Sequence, residues 1–177
     1  MALIAPLIQT ERLDMAPPVA ADHAALMELM ASTAVRRYLG GHPTNATEEF
    51  NRLCRNAGSW FLYGYGTFIV RARKSDDMLG LCGVFHSWRS FGKGMADTPE
   101  IGWIFAEKAW GKGIATEAAR AALAWFDREH GPRRITCMID QPNLPSFKVA
   151  AKLGFVRYGA HDEGTGPVIL LERTSAA

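Results

Sequence analysis

Two glycines bracketing a lysine, Gly111-Lys112-Gly113, run directly into Ile114 to His130, a segment whose apolar residues recur at helical spacing. Ile114, Ala118, Ala122, Trp125 and Phe126 fall on one side, and Glu117, Arg120, Asp127 and Arg128 on the other, so the pattern predicts an amphipathic helix. Its small alanines let it lie close against a sheet. The glycines permit a sharp bend that aims several backbone N–H groups at one point. The first N–H groups of a helix have no internal partner and carry partial positive charge, so a phosphate is stabilised there. Lys108 and Lys112 add screened positive charge. A tight turn without a ligand is the alternative that the loop alone leaves open.

The rest of the chain alternates strand and helix signals around that loop. Ile8 to Met15 predicts a strand, closed by Pro17-Pro18 before a helix over Ala20 to Ser32 with Leu26, Leu29 and Met30 inward. Gly40-Gly41-His42-Pro43 breaks the chain, and Thr44 or Asn45 can cap a second helix ending near Ala57-Gly58. Thr67–Arg73 and Met78–Trp88 read as a hairpin about Ser75-Asp76-Asp77, and Glu100–Phe105 as the next strand, with Glu100, Gly102 and Ile104 on one face. After Gly131-Pro132 come a strand over Arg134–Ile139 and a helix over Asn143–Leu153 ended by Gly154. Phe155–His161 and Val168–Arg173 close the order as an antiparallel pair joined by Glu163-Gly164-Thr165-Gly166. This order, βααβββαβαββ, predicts an α+β fold. Without repeats or linker-like stretches, 177 residues predict one domain, with its core over about residues 8–173.

Several function classes are disfavoured. The formal net charge of +2 and the absence of any run of five basic residues argue against a dedicated nucleic-acid partner. No stretch reaches bilayer-spanning length, and Met1 to Ile8 lacks the positive leader of a signal peptide, so a soluble, cytoplasmic protein without a membrane partner is expected. Cys54, Cys82 and Cys137 are widely spaced and odd in number, which suits a reducing compartment better than a disulfide framework. His23, His42, His86, His130 and His161 have no metal-ligand spacing, and no metal is expected. A GxxxxGK[ST] phosphate loop fails because Gly113 follows Lys112. Two facts oppose a dinucleotide fold: the first glycine comes six residues after Phe105, and too little chain follows Asp140 for the remaining strand-helix units.

Four separated motifs, in order, carry a resemblance to a known family. Glu100-Ile101-Gly102-Trp103-Ile104-Phe105, Lys108 to Thr116, Asn143-Leu144-Pro145-Ser146 and Lys152-Leu153-Gly154-Phe155 together resemble the GNAT superfamily of N-acetyltransferases. With Thr10-Glu11-Arg12-Leu13 they are most similar to its ribosomal-protein N-terminal acetyltransferase-like (RimJ/RimL-type) branch. The resemblance implies αβα layers around a mixed, mostly antiparallel seven-stranded sheet, splayed between its fourth and fifth strands, with about four helices. It implies acetyl-CoA as co-substrate, its pantetheine arm in the splay against the backbone of Ile104, Phe105 and Ala106, and its diphosphate on Gly111, Lys112, Gly113, Ile114, Ala115 and Thr116. Lys108 stands where the family most often has arginine or glutamine, and lysine cannot make the forked contacts of arginine.

The resemblance also implies direct attack of a primary amine, from a small molecule or a protein N-terminus, on the thioester. Glu100 matches the family's acidic residue on its strand and is the candidate general base; a carboxylate paired with a nearby arginine is the alternative. A backbone N–H within Ile104–Ala106 would hold the oxyanion. Asn143 matches a pantetheine-binding residue and is equally an ordinary helix cap. Ala150 stands where many relatives carry a tyrosine acid, which leaves Ser146, near the sulfur, as the hydroxyl candidate for that role. Tyr38, Trp60, Tyr63 and Trp88 are candidates to line the acceptor pocket, or else fill the core. A monomer or homodimer is expected, and a non-catalytic acyl-CoA-binding module is the alternative to an enzyme.

Overall fold

The computed structural model describes residues 5–39, 43–162, 164 and 166–174. The Gly40-Gly41-His42 break, and Glu163 and Thr165 of the last turn, lie outside the described residues. The first predicted strand is a hairpin, β1 (Ile8–Gln9) and β2 (Leu13–Ala16), with Ile8 opposite Met15. Thr10 folds it: its N–H donates to the Leu13 carbonyl at 2.9 Å and its hydroxyl accepts from the Leu13 N–H at 3.0 Å. Local side-chain bonding of this kind competes with a continuous strand.

Helix α1 (His23–Ala31) follows a 3-10 turn over Ala20–Asp22 and buries Leu26, Leu29 and Met30. Ser32 is extended and caps a short additional helix, α2 (Thr33–Arg36), by accepting from the Val35 N–H at 3.3 Å. Asn45 caps α3 (Ala46–Tyr63), which continues past the expected stop at Gly58 and ends at Gly64, whose φ of 74° is left-handed. Glycine inside a helix costs only about 1 kcal/mol, and packing of Trp60 one turn from the helix end offsets it.

The remaining elements are β3 (Phe68–Ala72), β4 (Met78–Ser87), β5 (Thr98–Phe105), α4 (Ile114–His130), β6 (Ile135–Asp140), α5 (Leu144–Lys152), β7 (Val156–Asp162) and β8 (Pro167–Arg173). Among the described residues the sheet thus has eight strands, in the order β1-β2-β3-β4-β5-β6-β8-β7, with five α-helices, one strand and one helix more than expected. All neighbours are antiparallel except β5 and β6, which are parallel and share one register pair, Glu100 opposite Thr136. Beyond that pair the two strands are no longer joined, which is the expected splay.

Alternation along the strands builds two cores. Ile69 and Leu81 face α1 to α3 with Leu26, Met30, Val35 and Leu53, whereas Phe68, Val70, Cys82 and Val84 face α4 with Ala118, Ala122 and Phe126. Ala118, Ala119 and Ala122 are buried to within 1% exposure, so α4 lies close on the sheet and carries its N-terminus to the open end of the β5–β6 gap. Among the described residues, no helix is long and apolar enough to cross a membrane.

Candidate active site

Gly111 and Gly113 both take left-handed φ values, 71° and 76°, a conformation costly for residues with a Cβ. Gly113 is the N-cap of α4, and the first internal helical bond runs from the Glu117 N–H to the Gly113 carbonyl. The N–H groups of Gly111, Lys112, Gly113, Ile114, Ala115 and Thr116 make no close backbone hydrogen bond among the described residues beyond the turn they form. Six successive donors at a helix N-terminus suit a diphosphate.

The β1–β2 turn braces this loop. Arg12 donates from Nη1 to the Lys112 carbonyl at 2.9 Å and from Nε to Glu117 Oε2 at 2.6 Å, and the Thr10 hydroxyl donates to Glu117 Oε1 at 2.5 Å. Partial burial pushes the Glu117 carboxyl up, but the bonds from Thr10 and Arg12 and the Arg12 charge outweigh it, so its pKa lies below the ordinary value. The Thr10-Glu11-Arg12-Leu13 motif thus braces the loop from outside. Lys108 stands beside the loop, and its exposed ammonium pairs with Asp77 in the β3–β4 turn.

In the gap, the three expected backbone positions behave differently. The Ala106 N–H donates to the Leu79 carbonyl at 2.9 Å, and with Ile104 opposite Leu81, antiparallel alternation turns Ile104 toward β4 as well. Of the three, Phe105 is left with its N–H facing the gap, while its carbonyl accepts from Trp110 Nε1 at 2.7 Å. Across the gap, Asn143 caps α5 by accepting from the Ser146 N–H at 3.3 Å, so its cap role is present and its amide NH2 stays available. Ser146 Oγ accepts from Trp103 Nε1 at 3.2 Å, which leaves the serine hydroxyl hydrogen to be donated elsewhere. Ala150 is fully buried, and packs where a tyrosine was sought.

Glu100 is 4% exposed and held by both arms of Arg89, Nε to Oε2 at 3.0 Å and Nη2 to Oε1 at 2.8 Å. Glu100, Asn143 and Ser146 all line one cleft of about 690 Å³, together with Tyr38, Trp88 and Asp140. Burial pushes the Asp140 carboxyl up. Tyr38 and Trp88, the latter 71% exposed, therefore reach the site. Trp60 does not: it packs edge-on to Phe68 at 4.8 Å and against Trp125 at 5.4 Å, with Nε1 donating to the Thr67 carbonyl. Tyr63 stacks on His86 at 4.0 Å, and that imidazole bridges the Tyr65 hydroxyl and Asp97, each at 2.9 Å.

Three features of the cleft escaped sequence reasoning: Arg89, Trp103, and a stripe of α3 formed by Arg52, Arg55, Asn56 and Ser59. The stripe has helical spacing, i, i+3, i+4, i+7, and its polarity reads in sequence as an ordinary solvated face. Among the described residues no group of three His, Cys, Asp or Glu is placed to hold a metal ion.

Residues 12–156 match the family model described as Acetyltransferase (GNAT) domain. The uncharacterized protein YkkB of Bacillus subtilis is 32% identical over 113 residues, a match covering 64% of this chain and 63% of YkkB. The chain thus spans less than two thirds of that curated relative. A Bordetella pertussis structure assigned to the GNAT acetyltransferases superposes with a TM-score of 0.86 at 31% identity, covering 94% of this chain and 98% of that one. The structure of RimL, a ribosomal L7/L12 alpha-N-protein acetyltransferase in complex with coenzyme A, superposes with a TM-score of 0.73 at 17% identity over 93% of this chain and 95% of RimL, a likeness of fold.

Proposed function

The chain belongs to the GNAT acetyltransferase family, and from that premise we propose that it moves an acetyl group from acetyl-CoA to a primary amine by direct attack. The observation that carries the reading is the row of six N–H groups, Gly111 to Thr116, with no close backbone partner outside their own turn among the described residues, standing at the open end of the β5–β6 gap. A diphosphate on those donors directs the pantetheine arm into the gap, toward the Phe105 N–H and the Asn143 amide. A solved relative of the same fold holds coenzyme A, which supports this choice of ligand.

In the proposed reaction, the amine nitrogen bonds to the thioester carbon, and the Phe105 N–H donates to the oxygen that gains charge. As the carbon–sulfur bond breaks, the Ser146 hydroxyl, made a stronger donor by the bond it accepts from Trp103, gives its proton to the departing sulfur. The proton lost by the amine goes to Glu100, directly or through water, and proton exchange through solvent then restores the Ser146 hydroxyl and the Glu100 carboxylate. The acceptor approaches past Tyr38 and Trp88. It is either a small molecule or a protein N-terminus, as in the RimJ/RimL-type branch. One domain, over about residues 8–173, is proposed to do this.

Two observations favour the second reading, a module that binds acyl-CoA without turnover: the buried Ala150 and the Arg89 clamp on Glu100. Release of free thiol from acetyl-CoA, measured across ribosomal-protein N-terminal peptides, small amines, amino acids and aminoglycosides, separates them. Acceptor-dependent release is expected of the enzyme; tight binding of acetyl-CoA with no release by any acceptor establishes the module instead.

A further inference from the structure

The α3 stripe brings positive charge to the acceptor side of the cleft. Arg52, Arg55 and Arg89 all line it, against Glu100 and Asp140 as the lining carboxylates. Glu100 is engaged by Arg89, and Arg52 is held from behind by the fully buried Glu49, whose Oε2 accepts from Arg52 Nε at 3.0 Å while Oε1 accepts from Thr44. Arg55, three residues along the same face, makes no ion pair or hydrogen bond among the described residues. Burial first, then the charges of Arg52 and Arg89, disfavour its protonated form. Arg55 lines the cleft as an exposed residue; a cationic side chain beside two others there is stabilised by an anion, and guanidinium matches carboxylate and phosphate with paired N–H donors.

Resting on the acetyltransferase reading, we infer that the acceptor carries an anionic group, carboxylate or phosphate, close to its amine, and that Arg55, seconded by Arg52, binds it. The positions agree with the chemistry of the step. An anion on the α3 stripe places the neighbouring amine between α3 and the β5 strand, on the sheet face that Glu100 shares with α3. The stripe thus serves selection of the acceptor.

The test reads binding rather than turnover, so its failure is distinct from that of the enzymatic reading. The protein saturated with coenzyme A is titrated calorimetrically with matched pairs: free amino acids against their amides, aminoalkylphosphonates against amino alcohols, and Ser-Asp and Ser-Glu dipeptide amides against Ser-Asn and Ser-Gln. At least one anionic member is expected to bind tenfold or more tightly than its uncharged partner, and the pair that does so identifies whether the anion belongs to a free small molecule or to a peptide. Arg55→Gln is expected to remove at least tenfold of that preference and Arg55→Lys to keep part of it, with coenzyme A affinity unchanged in both. Equal binding within every pair, no binding by any anionic member, or a loss in Arg55→Gln shared equally by charged and uncharged members would overturn the inference.

Discussion

Arg89 grips Glu100 with two parallel hydrogen bonds, at 3.0 and 2.8 Å, across the β4–β5 end of the cleft. Glu100 is therefore held in one orientation, with both oxygens already accepting. Glu100→Gln is expected to lower kcat at least tenfold, to change the shape of its pH profile, and to leave acetyl-CoA affinity within twofold. A rate that matches the parent protein at every pH would remove Glu100 as the base.

Removing the other partner has a different consequence. Arg89→Gln leaves a buried carboxylate without its counter-charge, which costs about 3 kcal/mol, so thermal unfolding should shift down by several degrees. Arg89→Lys, which retains charge but not the fork, should fall between. Equal melting temperatures for all three proteins would show that the pair contributes nothing to folding.

How much of this was legible in the sequence differs by element. Helix α4 begins at Ile114 and ends at His130 as its periodicity indicates, because glycines at each end and an apolar stripe are local signals. The hydrophobic pattern reads the first hairpin as one strand because it does not register the Thr10 side chain, which bonds three residues onward. The motif places Lys108 beside the loop, but its surface pair with Asp77, 31 positions away in sequence, is not legible there. Trp60 and Trp88 look alike as exposed-pocket candidates, and only the fold separates the one packed on Trp125 from the one 71% exposed. The sequence offers the Glu100–arginine pair as a type of contact without the residue, since Arg89 reaches Glu100 only through the way the loop after β4 folds back.

The brace between the N-terminal hairpin and α4 gives a pH dependence with a definite sign. Glu117 titrates below its ordinary value in the folded chain. Its contribution to stability is therefore present above the unfolded pKa and is lost as pH falls through the folded one. Arg12 is 45% exposed at its side chain, so solvent screening limits the pair to about 1 kcal/mol. Glu117→Gln should lower the melting temperature at neutral pH and flatten its acid decline, and Arg12→Ala should also weaken acetyl-CoA binding through the Lys112 carbonyl. Parallel acid declines in parent and Glu117→Gln proteins would contradict the assignment.

Ser146 and Trp103 form a donor chain whose two members can be separated. Ser146→Ala is expected to reduce kcat by about a hundredfold, the scale of a lost general acid, with little change in acetyl-CoA affinity. Trp103→Phe keeps the ring and removes the indole N–H, so its effect on kcat should be in the same direction and smaller. Full activity in Ser146→Ala would assign the final proton to water.

The central claim is that the N–H groups from Gly111 to Thr116 hold the acetyl-CoA diphosphate, and Ala115→Pro addresses it most directly. Proline is tolerated in the first helical turn, where the N–H has no internal partner, so this substitution deletes one cradle donor while sparing the helical bonds. Calorimetric titration with acetyl-CoA, on protein whose circular dichroism matches the parent, should show affinity reduced at least tenfold. Affinity equal to that of the parent protein would mean that the diphosphate is bound elsewhere.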